Sequence, residues 1–277
     1  MRLEKVNPSH PCKVADRIAG AMVDVAYAMK RNPIIDAHVA IYNGVCTIFV
    51  SSDVDFSIEG VSKIVERIAG DDFKTNLEYA KVEGATTLAC KSTGVFKGVF
   101  PLREELRAVT ILRAFYDGKS MGVCEYKDGK WKLSIKDFDP TVKQNDVDVR
   151  NLDIYEIDKV HPYEFKGVAN NNDMIVSDMG LSVCGKGLHG KDLSDPNVTL
   201  PIFAWLSCQK YGGRFDISCV EGDTTLTHVS YPFITEYDKN GLKFADVVKE
   251  VKKFIDSRGG FEKFAEWGLL KPYAFDD

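Results

Sequence analysis

The sequence predicts an α+β fold of internally repeated helix-and-hairpin units with mostly antiparallel sheets. Segments with apolar residues at helical spacing alternate with pairs of short β-rich runs. The runs of two such pairs are separated by Asn-Gly or Asp-Gly, dipeptides that favour two-residue hairpin turns. Strands joined by hairpins pair antiparallel, and helices interspersed among them are typical of α+β layers.

The first half of the chain contains three predicted helices and two predicted hairpins. Apolar periodicity predicts helices over 13–30, 61–68 and 101–115. Pro33 follows the first helix and Gly70 closes the second. The hairpins are predicted over 34–50, around Tyr42-Asn43-Gly44, and over 119–135, around Lys127-Asp128-Gly129.

An acidic stretch at 137–152 predicts a linker between an N-terminal part, 1–136, and a C-terminal part, 153–277. We expect the first part to hold two repeat units, the second part to hold a third, and all to form one interwoven structure. The C-terminal part contains predicted short strands at 153–165 and 173–176, a helix at 201–209 capped by Thr199, a hairpin of 215–220 with 224–229, and a helix at 242–255.

Composition and charge restrict the classes of partner. The 277 residues are 44% hydrophobic and 28% charged, which excludes an intrinsically disordered chain. A net charge of -5 gives no positive field for nucleic acid or an anionic membrane, so an anionic ligand needs a local cluster of Lys and Arg. No apolar run approaches the roughly 20 residues of a membrane span, and the start of the chain lacks the apolar stretch of a signal peptide. We therefore expect a cytoplasmic protein.

The cysteines indicate a reducing compartment as well. Seven is an odd number, and no two cysteines form a C-x-x-C pair. A disulfide framework or a cysteine-rich zinc site is therefore not expected, and free, mostly buried thiols are.

A glycine-rich segment, Gly185-Lys186-Gly187-Leu188-His189-Gly190-Lys191-Asp192, matches two phosphate-binding patterns at once. As a dinucleotide fingerprint it would have to open a helix, but it leads into residues typical of a loop. As a phosphate loop it has Asp192 where a Ser or Thr is required. What remains is a backbone that can approach a phosphate chain, with Lys186 and Lys191 to neutralise it.

Two further clusters carry possible phosphate ligands. Ser9-His10-Pro11-Cys12-Lys13 stands at the start of the first predicted helix, where backbone N–H groups attract anions. There His10 and Lys13 would add two donors for phosphate oxygens; the alternative is an exposed helix start with an incidental histidine. Asp117-Gly118-Lys119-Ser120 is by itself typical of a turn.

In order and over most of the chain, these clusters resemble the S-adenosylmethionine synthetase (methionine adenosyltransferase) family. The most specific match runs from Glu4 through His10-Pro11 and Lys13 to Asp16, and resembles the family's E-S-V-x-E-G-H-P-D-K-x-x-D. Shorter matches follow: Val50-Ser51-Ser52-Asp53 with V-G-G-E, Asp117-Gly118-Lys119-Ser120 with D-A-K-S, Asp178-Met179-Gly180-Leu181-Ser182 with G-D-C-G-L-T, and Gly190-Lys191-Asp192 with S-G-K-D.

The resemblance implies a reaction and a set of site residues. The sulfur of methionine attacks the 5′ carbon of ATP and expels triphosphate, which is then cleaved to pyrophosphate and phosphate. Because this sulfur carries no proton, catalysis must come from aligning the substrates and stabilising the leaving triphosphate. The residues so assigned are His10, Lys119 and Lys191 for catalysis; His10, Lys13, Asp117, Lys119, Lys186, Lys191 and the adenine-stacking Phe165 for ATP; and Glu4, Asp53 and Asp178 for methionine.

The chain also departs from the family pattern at its cation ligands. Cys12 stands where the family has a Mg²⁺-binding Asp, and a thiol is a poor ligand for a hard cation. His38 takes the place of an acid associated with a monovalent cation, and Ser92 takes that of the acid in G-D-Q-G. Asp195 and Asn197 are the nearest counterparts of the second Mg²⁺ ligand. The chain is also shorter than typical members.

The resemblance therefore implies a divergent synthetase that binds ATP and L-methionine, with Mg²⁺ and K⁺ as cations. It further implies a homodimer whose active sites lie between the subunits. The alternative hypothesis is a degenerate, non-catalytic homologue that serves as a ligand-binding or regulatory subunit.

Overall fold

Helices and short strands alternate along the computed structural model, which describes residues 1–84, 87–136, 164–230 and 241–270. The α-helices are α1 (Pro11–Met29), α2 (Ile58–Ala69), α3 (Arg103–Ala114), α4 (Ile175–Met179), α5 (Pro196–Tyr211), α6 (Phe244–Ser257) and α7 (Phe261–Trp267). The strands are β1 (Arg2–Val6), β2 (Ile35–Tyr42), β3 (Val45–Ser52), β4 (Lys74–Lys81), β5 (Gly94–Gly98), β6 (Gly122–Lys127), β7 (Lys130–Ile135), β8 (Ala169–Asn170), β9 (Val183–Cys184), β10 (Phe215–Cys219), β11 (Thr225–Leu226), β12 (His228–Ser230) and β13 (Leu242–Lys243).

The strands form four sheets, and their pairing confirms the predicted α+β class with mostly antiparallel sheets. In spatial order the sheets are β4-β3-β2-β8, β1-β6-β7, β12-β10-β5-β9 and β11-β13. Among the described pairs, β3 with β4 is parallel and the others are antiparallel. The parallel pair is joined by a crossover through α2, as parallel strands require.

Both predicted hairpins of the first half are confirmed. Asn43 and Gly44 have φ of 47° and 73°, and Asp128 and Gly129 have φ of 51° and 84°. Positive φ at both central residues is the geometry of a type I′ turn, whose twist matches that of the flanking strands. The hairpins therefore form β2-β3 and β6-β7, following α1 and α3 respectively.

The larger core lies around α1. Buried residues such as Ile18 and Met22 of this helix pack with the inward-facing residues of β2 and β3. Gly20 faces α7 so closely that a Cβ there would lie 2.7 Å from the Phe261 carbonyl oxygen. A smaller core lies between α3 and the β1-β6-β7 sheet. The six cysteines whose side chains are described are free and buried, as predicted.

Three predictions of local structure are wrong. The predicted strand at 173–176 lies at the start of α4 instead, because Asp173 accepts hydrogen bonds from Asn170 and closes a turn there. Thr199 lies inside α5, whose cap is Asp195: its Oδ1 accepts from Asn197 N at 2.8 Å. Of the hairpin predicted at 215–229, β12 pairs with β10, but β11 pairs with β13.

The sheets connect sequence on both sides of the predicted linker. Strand β5 pairs with β10, and β2 pairs with β8. The linker itself, 137–152, and most of the strand predicted at 153–165 lie outside the described residues. The division into an N-terminal and a C-terminal part therefore stays a prediction. Within the described ranges, no helix combines the length and the apolar character needed to cross a membrane.

Candidate active site

His10 begins the candidate site as the N-cap of α1. Its Nδ1 accepts a hydrogen bond from Cys12 N at 3.3 Å, so the ring proton lies on Nε2. Burial and, to a smaller extent, the nearby Lys13 ammonium together lower the pKa of His10 to about 4. His10 is therefore neutral at pH 7 and offers a hydrogen-bond donor, not a positive charge. The Phe165 ring packs edge-on against it, with centroids 5.2 Å apart.

One turn into α1, Lys13 enters a fully buried ionic cluster with Asp16, Asp178 and His189. The Lys13 ammonium donates to Asp178 Oδ1 and lies 3.4 Å from Asp16 Oδ2. His189 Nε2 lies 3.1 Å from Asp178 Oδ2 and 3.9 Å from Asp16 Oδ2. We call these four side chains the Lys13 cluster; all are at most 3% exposed.

The electrostatics of the Lys13 cluster favour a charged lysine between carboxylates. Burial works against the ammonium, but Asp178 and Asp16 outweigh it and raise the pKa of Lys13. Burial also opposes ionisation of Asp178, yet Lys13 and His189 lower the pKa of that carboxyl. For Asp16 burial prevails and the pKa is raised, although Asn172 N donates to its Oδ1 at 2.7 Å. Asp178 is therefore the carboxylate that the cluster holds ionised.

The loop before β6 lies against the segment that leads into α1. Asn7 Nδ2 donates to Ser120 O at 2.8 Å, and Ser9 Oγ lies 3.2 Å from the Tyr116 hydroxyl. Within the loop, Asp117 Oδ1 accepts from the backbone N–H groups of Lys119 and Ser120 at 2.8 and 2.6 Å. Burial opposes ionisation of Asp117, but the hydrogen bonds from Ser120 and Lys119 together outweigh it and lower the pKa of that carboxyl. The structure thus brings the Asp117 loop and the His10 segment together, with Lys119 exposed.

Lys191 lies on the other side of the segment that carries His189. This segment runs along β2, where Ala37 N donates to Gly190 O at 2.7 Å. His189 points into the Lys13 cluster, whereas the Lys191 ammonium lies 3.4 Å from Asp36 and 3.1 Å from Asp195. Burial acts against the charge, but Asp195 and Asp36 outweigh it and raise the pKa of Lys191.

An open cavity of about 390 Å³ adjoins Asp36, the carboxylate that pairs with Lys191. Its volume lies in the range of small-molecule sites. Its lining combines an aromatic wall with acidic and polar groups and includes Asp36, His38, Phe49, Ser51, Glu78 and Tyr79. Lys191 is 30% exposed, so the accessible side of the candidate site lies here, while the Lys13 cluster is covered.

Other residues assigned from the resemblance make no described contact with the Lys13 cluster. Glu4 lies on β1 opposite Glu125 of β6, and burial followed by Glu125 raises its pKa. Asp53 directly follows β3, where it accepts from Ile34 N at 2.8 Å and pairs with Lys30 at 2.6 Å. Lys186 is exposed. Of the three acids assigned to methionine, these contacts join only Asp178 to the Lys13 cluster.

Several residues of the site were not assigned a role from the sequence, among them Asp16, Asp36, His189 and Lys91. His189 stands in the glycine-rich segment, but nothing local indicates that its ring reaches Asp178. Lys91 pairs with the buried Asp192, which also accepts from Ile35 N at 2.9 Å. Asp192 thereby fixes the end of the glycine-rich segment against the start of β2.

Two groups of donor atoms in the site differ in how well they fit a divalent cation. Asp16, Asp178 and His189 offer ligand atoms within 4.8 Å of one another, an arrangement that could hold a metal ion. The Lys13 ammonium contacts two of these groups and already supplies the positive charge, so a metal ion would fit there only if Lys13 moved. Cys12 does not fit, because burial, with Asp173 and Asp16 adding, raises its pKa to about 12 and keeps the thiol protonated.

The carboxylates around Lys191 fit a Mg²⁺ ion better than the Lys13 cluster does. Asp36 Oδ1 accepts no hydrogen bond in the structure, and it lies 3.2 Å from His38 Nε2. Asp195 Oδ2 faces Lys191, while its Oδ1 accepts from Asn197 N and Nδ2. The Asp36 side chain is 40% exposed beside Lys191, so its carboxylate fits a Mg²⁺ ion that is bound together with phosphate oxygens.

No protein-family profile and no curated protein sequence matches the chain. A solved structure does: that of an unusual S-adenosylmethionine synthetase from Campylobacter jejuni, with a TM-score of 0.71 and 13% identity. The match covers 97% of this chain and 93% of the other. The chain has an S-adenosylmethionine synthetase-like fold. At this identity the similarity establishes the fold and not the activity.

Proposed function

We propose that this chain is an S-adenosylmethionine synthetase, which forms S-adenosylmethionine from ATP and L-methionine. One observation carries the proposal beyond the fold. Lys13 and Asp178 are 165 positions apart, belong to two different segments that resemble the family, and form a buried ion pair. His189 of the glycine-rich segment completes the same cluster, and Lys191 follows two residues later. The separate motifs thus converge on one region.

The proposed division of labour follows from charge and exposure. Lys191 and Lys119 are the accessible cations, and they stabilise the triphosphate as negative charge develops on it. His10 stays a phosphate ligand proposed from the resemblance, and Lys13 supplies a fixed positive charge one turn further into α1. Asp117 and Lys186 remain proposed ATP contacts, and Phe165, beside His10, is the proposed platform for adenine. No side chain is required to remove a proton, because the attacking sulfur carries none.

Asp178 is the proposed contact for methionine. Lys13 and His189 keep it ionised, so it carries the charge that would bind the ammonium of an amino acid if Lys13 moved aside. Glu4 and Asp53 stay predicted methionine contacts. Glu4 lies on the outer face of the β1-β6-β7 sheet, apart from the Lys13 cluster. The homodimer with interfacial active sites stays a prediction from the resemblance.

Mg²⁺ is proposed to bind with the triphosphate at Asp36 and Asp195, with Asn197 beside them. When bound, it would neutralise part of the charge on the leaving group. K⁺ stays a prediction from the resemblance, with a His38 ring nitrogen in place of the usual carboxylate.

The test is product formation by the purified chain with ATP, methionine, Mg²⁺ and K⁺. We expect S-adenosylmethionine with equal amounts of pyrophosphate and phosphate, measured by chromatography and mass spectrometry. Lys191→Met should lower the rate by about 100-fold or more, since one lost charge-stabilising donor typically has that effect. Lys63→Met, on the exposed face of α2, is the matched control and should leave the rate unchanged. Absence of product from the unaltered chain at high protein concentration would refute the proposal.

The second candidate function is a non-catalytic homologue that binds ligand or regulates an active synthetase. Two observations favour it: the protonated Cys12 in place of an expected Mg²⁺ ligand, and the complete pairing of Lys13 with carboxylates. It predicts that ATP or methionine binds, as measured by calorimetry, without any turnover in the assay above.

A further inference from the structure

A second buried ion pair lies behind α4, formed by Lys5 of β1 and Glu105 of α3. The two side chains are fully buried, and Lys5 Nζ lies 3.5 Å from Glu105 Oε1. Lys5 stands where the family's E-S-V has Ser, and Glu105 lies outside every segment that resembles the family. Buried charges are unfavourable unless they are paired and hydrogen-bonded, so this pair needs a structural reason.

The pair holds both ends of the short segment 176–181. Lys5 Nζ donates to Val176 O at 2.5 Å, at the beginning of the segment. Glu105 Oε1 accepts from Leu181 N at 2.6 Å, at its end. A third contact comes from the same strand, where Val6 N donates to Ser177 Oγ at 3.0 Å. Val176 O also accepts from Gly180 N at the end of α4, so the Lys5 bond adds a second contact there, and the bonds to Ser177 and Leu181 hold the rest of the segment.

Asp178 lies between these held ends and points the other way, into the Lys13 cluster. A helix of five residues has no stability of its own, so its position depends on external contacts. The packing is tight on both sides. Gly180 has φ of 68°, and a Cβ there would collide with the Glu105 carboxylate. A Cβ on Gly268 would lie 2.6 Å from Asp178 Cα.

We propose that Lys5 and Glu105 are positioning residues: they fix the backbone of 176–181 and thereby hold the Asp178 carboxylate against Lys13 and His189. The positioning stands on the contacts alone, whereas its consequence for methionine rests on the proposed function. Neither side chain contacts a substrate in this scheme. Their effect passes through the peptide groups on either side of Asp178.

The experiment separates local positioning from overall stability by comparing single and double variants. Lys5→Met keeps the length of the side chain but removes the Lys5 bond to Val176 O and leaves Glu105 without its cationic partner. The double variant Lys5→Met/Glu105→Gln removes both charges and retains an amide oxygen for Leu181 N. Because no unpaired charge remains, the double variant should fold more stably than Lys5→Met, yet it still lacks the bond to Val176 O.

The direct readout is amide hydrogen exchange, followed by mass spectrometry. In the double variant we expect peptides covering 174–182 to exchange about tenfold faster, whereas peptides covering 35–52 keep their rates. Lys132→Met is the matched control, because Lys132 pairs with Glu125 at 3.3 Å on the exposed side of the same sheet. It should change neither set of peptides. Unchanged exchange at 174–182, or an equal increase in all peptides, would overturn the proposal.

A second readout tests the consequence for the site. If the chain makes S-adenosylmethionine, the double variant should raise KM for methionine about tenfold and leave KM for ATP within about twofold. A purely structural pair would leave both constants unchanged in the folded fraction, and that result counts against the proposal. If the unaltered chain makes no product, the proposed function fails, but the exchange data still decide the positioning.

Discussion

His10 illustrates how burial fixes the chemical role of a single side chain. At the start of a helix, a protonated imidazole would be the wrong charge for the positive end of the helix dipole. Burial and the neighbouring Lys13 ammonium both keep the ring neutral, and its Nδ1 is used to cap the backbone. What the site gains at this position is an oriented N–H donor.

The neutral state of His10 has a consequence for stability in acid. Its folded pKa of about 4 lies below the ordinary value of 6.5, so the folded state binds fewer protons between these two values. The contribution of His10 is therefore complete above about pH 6.5 and is lost as the pH falls towards 4. From pH 7 to pH 5 the loss should be about 2 kcal/mol of unfolding free energy.

His10→Asn tests this prediction, because Asn caps helices well and does not titrate. Urea unfolding at pH 7 and pH 5 should show a smaller loss of stability for the variant than for the unaltered chain, by about 2 kcal/mol. His228→Asn, at an exposed position on β12, controls for the removal of a histidine and should leave the loss in place. Equal losses in the His10 variant and the unaltered chain would contradict the prediction.

At the residue level the sequence predicts some members of the site and not others. His10, Lys13, Asp178 and Lys191 were found because they stand in short patterns with fixed spacing. His189 contacts Asp178, Lys5 contacts Val176 and Glu105 contacts Leu181, which lie 11, 171 and 76 positions away in the sequence. No local pattern encodes these contacts. Their roles become visible only after the chain has brought β1, α3 and α4 together.

Among the elements, α1 is the one that most of the site depends on. It carries His10, Lys13 and Asp16 on its first two turns and packs along its length against β2 and α7. The contact with α7 is made backbone to backbone at Gly20, and Asp24 extends it by accepting from Phe261 N and Glu262 N at 2.8 and 2.9 Å. Helix α7 therefore fixes the position of α1, which carries these site residues.

Gly20→Ala should consequently destabilise the protein although alanine favours helices. Its Cβ would lie 2.7 Å from Phe261 O, and a backbone atom cannot move aside as a side chain can. We expect a loss of about 1–3 kcal/mol, the usual range for overpacking. Gly60→Ala is the control on exposed α2, where the nearest atom is the Ser57 side chain at 3.2 Å, and it should change stability by less than about 1 kcal/mol. Urea unfolding measures the free energy of unfolding of both variants. Similar losses in the two would show that the close α1–α7 contact does not exclude a side chain at position 20.

The elements differ in how far the sequence predicts them, for physical reasons. The hairpins at Asn43-Gly44 and Asp128-Gly129 were predicted because their turns need left-handed backbone, which these residues supply. Helix α4 was not, because five residues carry no hydrophobic period and its ends are held by Lys5 and Glu105. No prediction covers β4 either; its parallel pairing with β3 depends on the crossover through α2.

At the scale of the whole molecule, strand order joins sequence that is far apart. Pairing of β5 with β10 and of β2 with β8 places the glycine-rich segment along β2, which is how His189 reaches the Lys13 cluster and Lys191 reaches Asp36. Local patterns predict the strands but not which of them are neighbours. The resemblance predicted the convergence of the motifs, and the structural similarity to a synthetase supports the same fold.

The outer face of the β4-β3-β2-β8 sheet is where we expect the proposed homodimer to form. Phe49 and Tyr42 are 53% and 58% exposed there, on neighbouring strands beside the 390 Å³ cavity. A second copy covering this face would bury both rings and would close the cavity from outside. Stable interfaces of this kind bury about 1,200 Å² or more, with aromatic residues at their centres.

Phe49→Lys should therefore dissociate the dimer without unfolding the subunit, because the new ammonium would lie beside Glu78, the register partner of Phe49 on β4. We expect sedimentation equilibrium to give twice the 30.9 kDa chain mass for the unaltered protein, and a dissociation constant raised about 30-fold or more in the variant. Val95→Lys, at a position 67% exposed on β5, is the control and should leave the dimer intact. If the active sites lie between subunits, synthetase activity should fall with the dimer fraction and recover at high concentration of the variant. A monomeric unaltered chain, or activity independent of the dimer fraction, would contradict the interfacial site, because each subunit would then contain every group that the reaction needs.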